Sequence, residues 1–376
     1  MEVRHGVNSQ KRGTMARKID RTVVTIVDVA AKAGVSTATA SRALGGYGRV
    51  SQATTERVRA AAAELGYQPN ALAQSMIRGT TRTIGVVVAD IENPFFARAA
   101  RGIGDVARAA GYEVLLVNTD ENLQTEVKAT EVLAQKRVDG IIIAPADTRE
   151  FAHLSRARRA GLGVVLLDRR IPGFDASVVR VDNVVAGRTA VQHLLELGHR
   201  KIGLLTGVPH QHVRNDALRA SGSSSPALDR LIGYYEAFRD VGVQLRAHYV
   251  KTGGTDRAWG ASATHQLLSL SEPPTAMVAS DAIIALGMID AVRRAPFVVV
   301  PEHLSLISID EPDWAEVVDP TLTVVAQPDY EMGAEAARIL LDQLSHSGPF
   351  PIVDRVLETV LKVRLSTSSV AVPSTS

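Results

Sequence analysis

Residues 24–44 read VTIVDVAAKAGVSTATASRAL, and the spacing of their apolar residues decides what the start of the chain is. Ile26, Val29, Ala30 and Ala33 recur at i, i+3, i+4 and i+7, one face of a short helix. Gly34 gives the backbone freedom to leave that helix, Val35 plugs the angle beyond it, and Ser36 is a good N-cap for a second helix from Thr37 to about Leu44. The second helix turns Ala40, Ala43 and Leu44 inward. It turns Thr37, Ala38, Ser41 and Arg42 outward, small at its start and basic a turn later, a face that fits a DNA major groove. A plain alanine-rich hairpin would show the same pattern, but the next segment favours a helix-turn-helix module. Ser51 caps a third helix with Val58, Ala61, Ala62 and Leu65 at helical spacing, and Gly66 stops it.

The charge is split in the same sense. Up to Arg82 there are 13 Lys and Arg against 5 Asp and Glu, about +8, and thereafter 29 against 35, about −6. A basic head ahead of a mildly acidic body is the electrostatic footprint of a nucleic-acid module joined to a regulatory domain. At 376 residues the chain is long enough for two or three domains. It has no cysteine, which rules out disulfides, thiolate catalysis and zinc–thiolate sites. Neither a signal peptide nor an apolar run of membrane-spanning length is visible, so a cytoplasmic location without membrane contact is expected. Residues 1–22 read as a disordered basic arm, and the Ser/Thr-rich end, 366–376, as a disordered tail.

From Thr83 onward apolar strand-like runs alternate with helical stretches, the pattern of a doubly wound α/β fold. The clearest strands are Ile84 to Ala89, Glu113 to Asn118, Gly140 to Ala144, Gly163 to Asp168, Lys201 to Thr206, Ala276 to Ala279 and Leu304 to Asp310. Such sheets carry many enzymes, and an α/β enzyme or an extracytoplasmic solute receptor are the rival readings. The enzyme signals are missing: the first strand runs into ADIENPFF with no G-x-G-x-x-G, and there is no Walker A sequence, G-x-S-x-G elbow or H-E-x-x-H. The receptor reading needs a signal peptide and leaves residues 24–76 unexplained. Gly102 and Gly104 sit in a helical pattern and read as packing, and His210 and His212 read as surface residues of a polar loop rather than a metal site. No cofactor, no metal and no catalytic residue is expected.

YQPNALAQSM at 67–76, following DVAAKAGVSTATASRAL and preceding TRTIGVVVADIENPFF, resembles the LacI/GalR (lactose-repressor) family of bacterial transcription regulators. DGIII at 139–143, VDN at 181–183, LGHRKIG at 197–203, SDAIIALG at 280–287 and the stretch from Asp319 to Gln327 extend the likeness over about 24–365. The resemblance implies a helix-turn-helix domain at 23–69, a hinge at 70–82, and a periplasmic-binding-protein-like body at 83–365. The body would have two doubly wound α/β subdomains joined by crossovers near Val181, Gln327 and Val356. It implies a homodimer or higher oligomer on a palindromic operator, with a small-molecule effector, a sugar by first choice, controlling operator affinity.

The DNA-binding residues expected are Ser36, Thr37, Ala38, Thr39, Ser41 and Arg42 of the head, with Asn70, Ala73 and Met76 of the hinge, where Met76 stands in the family's leucine wedge position. For the effector, Asp90, Asn93 and Phe95 follow the first strand; the other reading makes Asn93-Pro94 a turn and Phe95 and Phe96 core. Asp168 and Asp310 end strands, Arg230 stands three residues before Gly233-Tyr234, and Gln327 sits at a crossover; each matches a family effector position. Asp281 reads better as a helix cap. Residues 209–229, with SGSSS, form an extra polar stretch expected to be a surface loop.

Overall fold

The computed structural model describes residues 24–68, 79–210, 225–346, 348 and 350–370. The expected arm at 1–22, the hinge contacts Asn70, Ala73 and Met76, most of 209–229 and the last residues of the tail lie outside these. The chain divides into two compact units, Met1–Thr81 and Arg82–Ser376.

In the first unit α1 (Ile26–Ala33), α2 (Thr37–Gly45) and α3 (Gln52–Leu65) enclose a small core of Val29, Ala30, Ala33, Ala40, Ala43, Val58, Ala61 and Ala62. Alanine dominates because three short helices with little volume between them must approach closely. Each helix is punctuated as its sequence suggests. Asp28 accepts from the Thr25 backbone N–H at 2.8 Å and from its hydroxyl at 2.7 Å, and these bonds hold the Asp28 carboxyl below the usual range. Gly34, at φ +66°, closes α1 with Val35 N–H donating to the Ala30 carbonyl at 3.0 Å.

The second unit has two sheets of six strands. The first has the order β11-β5-β4-β3-β1-β2 and is parallel throughout: β1 (Thr83–Val88), β2 (Glu113–Asn118), β3 (Gly140–Ile143), β4 (Gly163–Leu167), β5 (Ser177–Val181) and β11 (Asp354–Leu357). The second has the order β12-β10-β9-β8-β6-β7, with β6 (Ile202–Thr206), β7 (Val250–Thr252), β8 (Ala276–Ala279), β9 (Ser305–Ile309), β10 (Thr323–Ala326) and β12 (Val360–Lys362), which alone pairs antiparallel.

Helices cover both faces of each sheet, so the inner strands read as unbroken apolar runs such as GIII and AMVA. On the first sheet, α4 (Pro94–Ala109) and α11 (Asp329–Ser345) pack against Val86, Ile142 and Val165, while α5 (Leu123–Gln135) and α6 (Ala152–Arg159) meet Val87, Ile141 and Val164. On the second, α7 (Asn183–Glu196) and α8 (Pro226–Asp240) cover one face, and α9 (Arg257–Leu268) and α10 (Ala282–Arg293) the other. The chain passes between subdomains three times: between Val181 and Asn183, between Ala326 and Asp329, and between Leu357 and Val360.

The second subdomain also corrects one expectation. Residues 366–370 are not a loose tail but part of the fold. Ser366 is buried, donates to the Leu306 carbonyl at 2.6 Å and accepts from the Thr323 N–H at 2.8 Å, and Val370 N–H donates to Leu197 O at 3.0 Å. Buried His199 holds the same segment through the Ser368 carbonyl at 3.0 Å. The Ser and Thr side chains that look like a tail in composition are here partners for otherwise unpaired backbone groups.

Candidate functional site

Two sites emerge, one in each unit. In the head, Ser36 caps α2, its hydroxyl accepting from Thr39 N–H at 3.2 Å and lying 2.9 Å from the Thr39 hydroxyl. Ser36 and Thr39 therefore shape the start of the helix. Thr37, Ala38 and Arg42 are exposed on the side opposite buried Ala40 and Ala43. The helix thus offers two small side chains near its N-terminus and a guanidinium more than a turn later, the order a major groove can read. Ser41 meets the Tyr47 hydroxyl at 2.6 Å. Tyr47 escaped the sequence reading because it lies past the helix, in a glycine-rich turn.

In the body, the strands of each sheet run toward the junction of the subdomains, and carboxylates stand at their C-terminal ends, where open α/β sheets bind ligands. Arg230, on α8, is the centre. Its Nε donates to Asn183 Oδ1 at 2.8 Å, its Nη1 donates to the Ser280 carbonyl, and its Nη2 lies 3.7 Å from Asp310 Oδ1. Arg230 can lie there because α7 and α8 cross at glycines: a Cβ on Gly187 would sit 2.2 Å from the Arg230 carbonyl oxygen, and one on Gly233 only 2.1 Å from the Val184 carbonyl. Asp310 is buried at φ +80°, a conformation that costs free energy in a residue other than glycine. Gln327 donates its amide to Asp310 Oδ1, and its own Oε1 is buried without a protein partner.

Asp168 comes from the first subdomain, just past β4, and is also buried in the left-handed region, at φ +67°. Burial pushes its carboxyl up to about 6, against the pull of Arg169 and Arg230. Asp168 thus senses Arg230 and Asp310 of the other subdomain. Arg169 is held elsewhere. Its two terminal nitrogens donate to both Glu121 oxygens at 2.6 Å each and to the Pro145 carbonyl at 2.9 Å, leaving Nε 3.6 Å from Asp168 Oδ2. Asp281 caps α10, accepting from Ile283 N–H at 3.0 Å and Ile284 N–H at 2.9 Å, while burial raises its carboxyl to about 6.

The structure therefore gathers Asp168, Arg230, Asp310 and Gln327 into one cluster. It gives the others local work. Asp90 accepts from Glu92 N–H at 2.9 Å, Asn93 caps α4 by accepting from Phe95 N–H at 3.0 Å, and Phe95 and Phe96 are buried in the first subdomain's core, their rings edge to face at 4.9 Å. Asn183 and Ser280 belong to the cluster and went unrecognised. The VDN at 181–183 and the SD at 280–281 were the only signals, each a strand end running into a capped helix. His210 bonds Thr252 at 2.6 Å. Among the described residues no group of three or more His, Asp or Glu could hold a metal.

Residues 81–353 match the model of periplasmic binding proteins and the sugar-binding domain of the LacI family, and residues 25–70 match that of bacterial regulatory proteins of the lacI family. The chain belongs to the LacI family. It is a DNA-binding transcription regulator with a ligand-binding body. The HTH-type transcriptional repressor CytR of Escherichia coli (strain K12) is 36% identical to this LacI-family protein over 94% of the chain and 99% of its own. Among solved structures, a transcriptional regulator CelR–cellobiose complex matches with a TM-score of 0.66 and 30% identity, covering 91% of this chain and 99% of CelR. The lac repressor dimer bound to operator and the anti-inducer ONPF matches with a TM-score of 0.76 and 26% identity, over 92% and 99%.

Proposed function

We propose that this LacI-family protein is a cytoplasmic repressor without catalytic activity, that it binds a palindromic operator as a homodimer, and that a neutral sugar held in the cleft sets its operator affinity. The observation that carries the ligand class is the balance of the buried polar groups. Asp168, the second oxygen of Asp310 and the unpartnered Oε1 of Gln327 are acceptors, whereas Arg230 spends Nε and Nη1 within the protein. Such a set wants donors from its ligand, which the hydroxyls of a polyol supply. A phosphorylated sugar would bring a dianion against two buried carboxylates, Asp168 and Asp310. The cellobiose in the CelR complex is in keeping with this choice.

Thr37, Ala38 and Arg42 read the bases in this account, and Met76 wedges between base steps at the centre of the operator. A second copy would supply the other half-site. Support for a dimer comes from Leu115 and Leu116, which are exposed on edge strand β2, and from Val132, exposed on α5. Among the described residues no helix is long and apolar enough to cross a membrane.

The test is a thermal-shift panel on the full chain with neutral mono- and disaccharides, nucleosides, and the matching sugar phosphates. A neutral sugar should raise the melting temperature with a dependence on concentration over Kd. Stabilisation by phosphates alone would overturn the reading.

A further inference from the structure

Outside the cleft cluster, one side chain of the first subdomain reaches across to the second. Arg98 lies on the second turn of α4, and its guanidinium is split between three partners far away in sequence. Nη1 donates to the Glu311 carbonyl at 2.8 Å and to Asp329 Oδ2 at 3.3 Å, and Nη2 donates to Asp313. Glu311 and Asp313 belong to the loop after β9 in the second subdomain, and Asp329 starts α11, where the chain has just returned to the first. One guanidinium therefore ties both subdomains to a crossover between them. We propose that Arg98 is the clasp that holds the two halves of the body together in the absence of ligand, and that it sets the place of Asp310 across the junction. The second part rests on the reading that Asp310 belongs to the effector site.

Three features argue for a clasp rather than an incidental surface pair. First, the bond to Glu311 is to a backbone carbonyl one residue beyond Asp310, which stands at φ +80°; holding that carbonyl holds the left-handed turn from which the Asp310 side chain projects. Second, the Glu311 side chain is itself tied down, by Lys362 at 2.6 Å and by Arg364, so the loop that Arg98 grips is rigid on its own side. Third, Asp329 is partly buried, and burial pushes its carboxyl up against the pull of Arg98, so a displaced Arg98 leaves a charge that water must reach. Asp313 is the opposite case. Its side chain is 96% exposed, and it adds a screened contact that can break without cost to the fold.

A body held this way opens less often, and a ligand at Asp310 closes what Arg98 has already brought near. The chain contains no cysteine, so one introduced thiol reports opening without background. Ser280→Cys places the thiol at a position 1% exposed whose carbonyl meets Arg230, in the junction; Ser305→Cys places one at a fully buried position at the far end of β9. The rate of thiol modification measures the population in which each becomes accessible, however small.

In full-length protein without ligand, Arg98→Ala should speed modification at the Ser280→Cys thiol about tenfold and Asp313→Ala about threefold, the size expected for a charge-assisted bond and an exposed ion pair. Arg98→Lys should fall between wild type and Arg98→Ala, since it keeps the charge and loses the fork. The Ser305→Cys rate should not change in any of them. An unchanged Ser280→Cys rate in Arg98→Ala would overturn the clasp, and so would an equal rise at both thiols, which would mean only a weaker fold. If Arg98→Ala fails to fold, Arg98→Lys decides in its place, a wild-type rate at Ser280→Cys again overturning the proposal. None of these rates needs an effector, so their failure would leave the sugar reading standing, and failure of the sugar panel would leave the clasp standing.

Discussion

Asp168→Asn should make the protein more stable at neutral pH while impairing its response to ligand. Asp168 is 7% exposed, and burial raises its carboxyl from the usual value near 4 to about 6 even with Arg169 and Arg230 nearby. Because the folded state binds the proton more tightly than the unfolded chain, stability is greatest below pH ~4 and falls as pH rises toward 6, then stays flat. The ionised group at pH 7 therefore costs up to about 3 kcal/mol relative to a neutral one. Asparagine is nearly isosteric, carries no charge and tolerates the left-handed conformation that Asp168 adopts at φ +67°. For a body of this size the gain amounts to a rise in melting temperature of up to about 5 °C at pH 7, shrinking to nothing near pH 4.

Differential scanning fluorimetry from pH 4 to 8 on the full chain reads this directly. Asp281, whose carboxyl burial also raises to about 6, contributes a slope of the same sign, so the variant should lose part of the pH dependence and keep the rest. A variant that is less stable than wild type at pH 7, with an unchanged pH slope, would show that the buried carboxylate of Asp168 carries no such cost. The same variant should lose ligand response, so that stability at Asp168 is given up for binding.

Arg42→Ala should cost about 1 to 3 kcal/mol on the selected operator and little on random DNA, measured by anisotropy; equal loss on both would make Arg42 a phosphate contact. Gly233→Ala must push α7 from α8, because its Cβ would lie 2.1 Å from the Val184 carbonyl; about 1 to 3 kcal/mol of stability should go, and ligand response with it as Arg230 leaves Asn183. Ser366→Ala leaves the Thr323 N–H without its partner and should cost about 1 to 3 kcal/mol in urea denaturation, whereas a silent substitution would show that the C-terminal segment adds nothing.

How far the sequence could be read depended on the distance between the groups that interact. The three helices of the head were legible, since Ser36 and Ser51 bond residues three places on and Gly34 and Gly66 end helices on the spot, whereas the Thr25–Asp28 box and the Tyr47 contact with Ser41 went unread. Most inner strands were legible because burial on both faces leaves mainly apolar side chains, but β5, interrupted by Arg180, and the four-residue β10 were missed. The short edge strands β7, β11 and β12 were not, for a half-covered strand such as DRVL has no such signature. Asp168, Arg230 and Asp310 could be marked through resemblance, but Asn183 lies 47 residues from the arginine it holds, and Arg98 more than 200 from its partners. Ser366 misled for the same reason: a serine that completes a distant strand's hydrogen bonds looks, in composition, like one in a tail.

A ligand bound by Arg230 and Asp310 is expected to govern operator affinity. The most direct measurement selects an operator from random duplex DNA with the full chain and follows its binding by anisotropy, for wild type and Asp310→Ala, across the neutral sugars that raise the melting temperature. The expected result is a palindromic site, a shift of tenfold or more in operator Kd of wild type with at least one sugar, and an Asp310→Ala protein that binds operator normally and no longer answers that sugar. An Asp310→Ala protein that responds at the wild-type sugar concentration would contradict it.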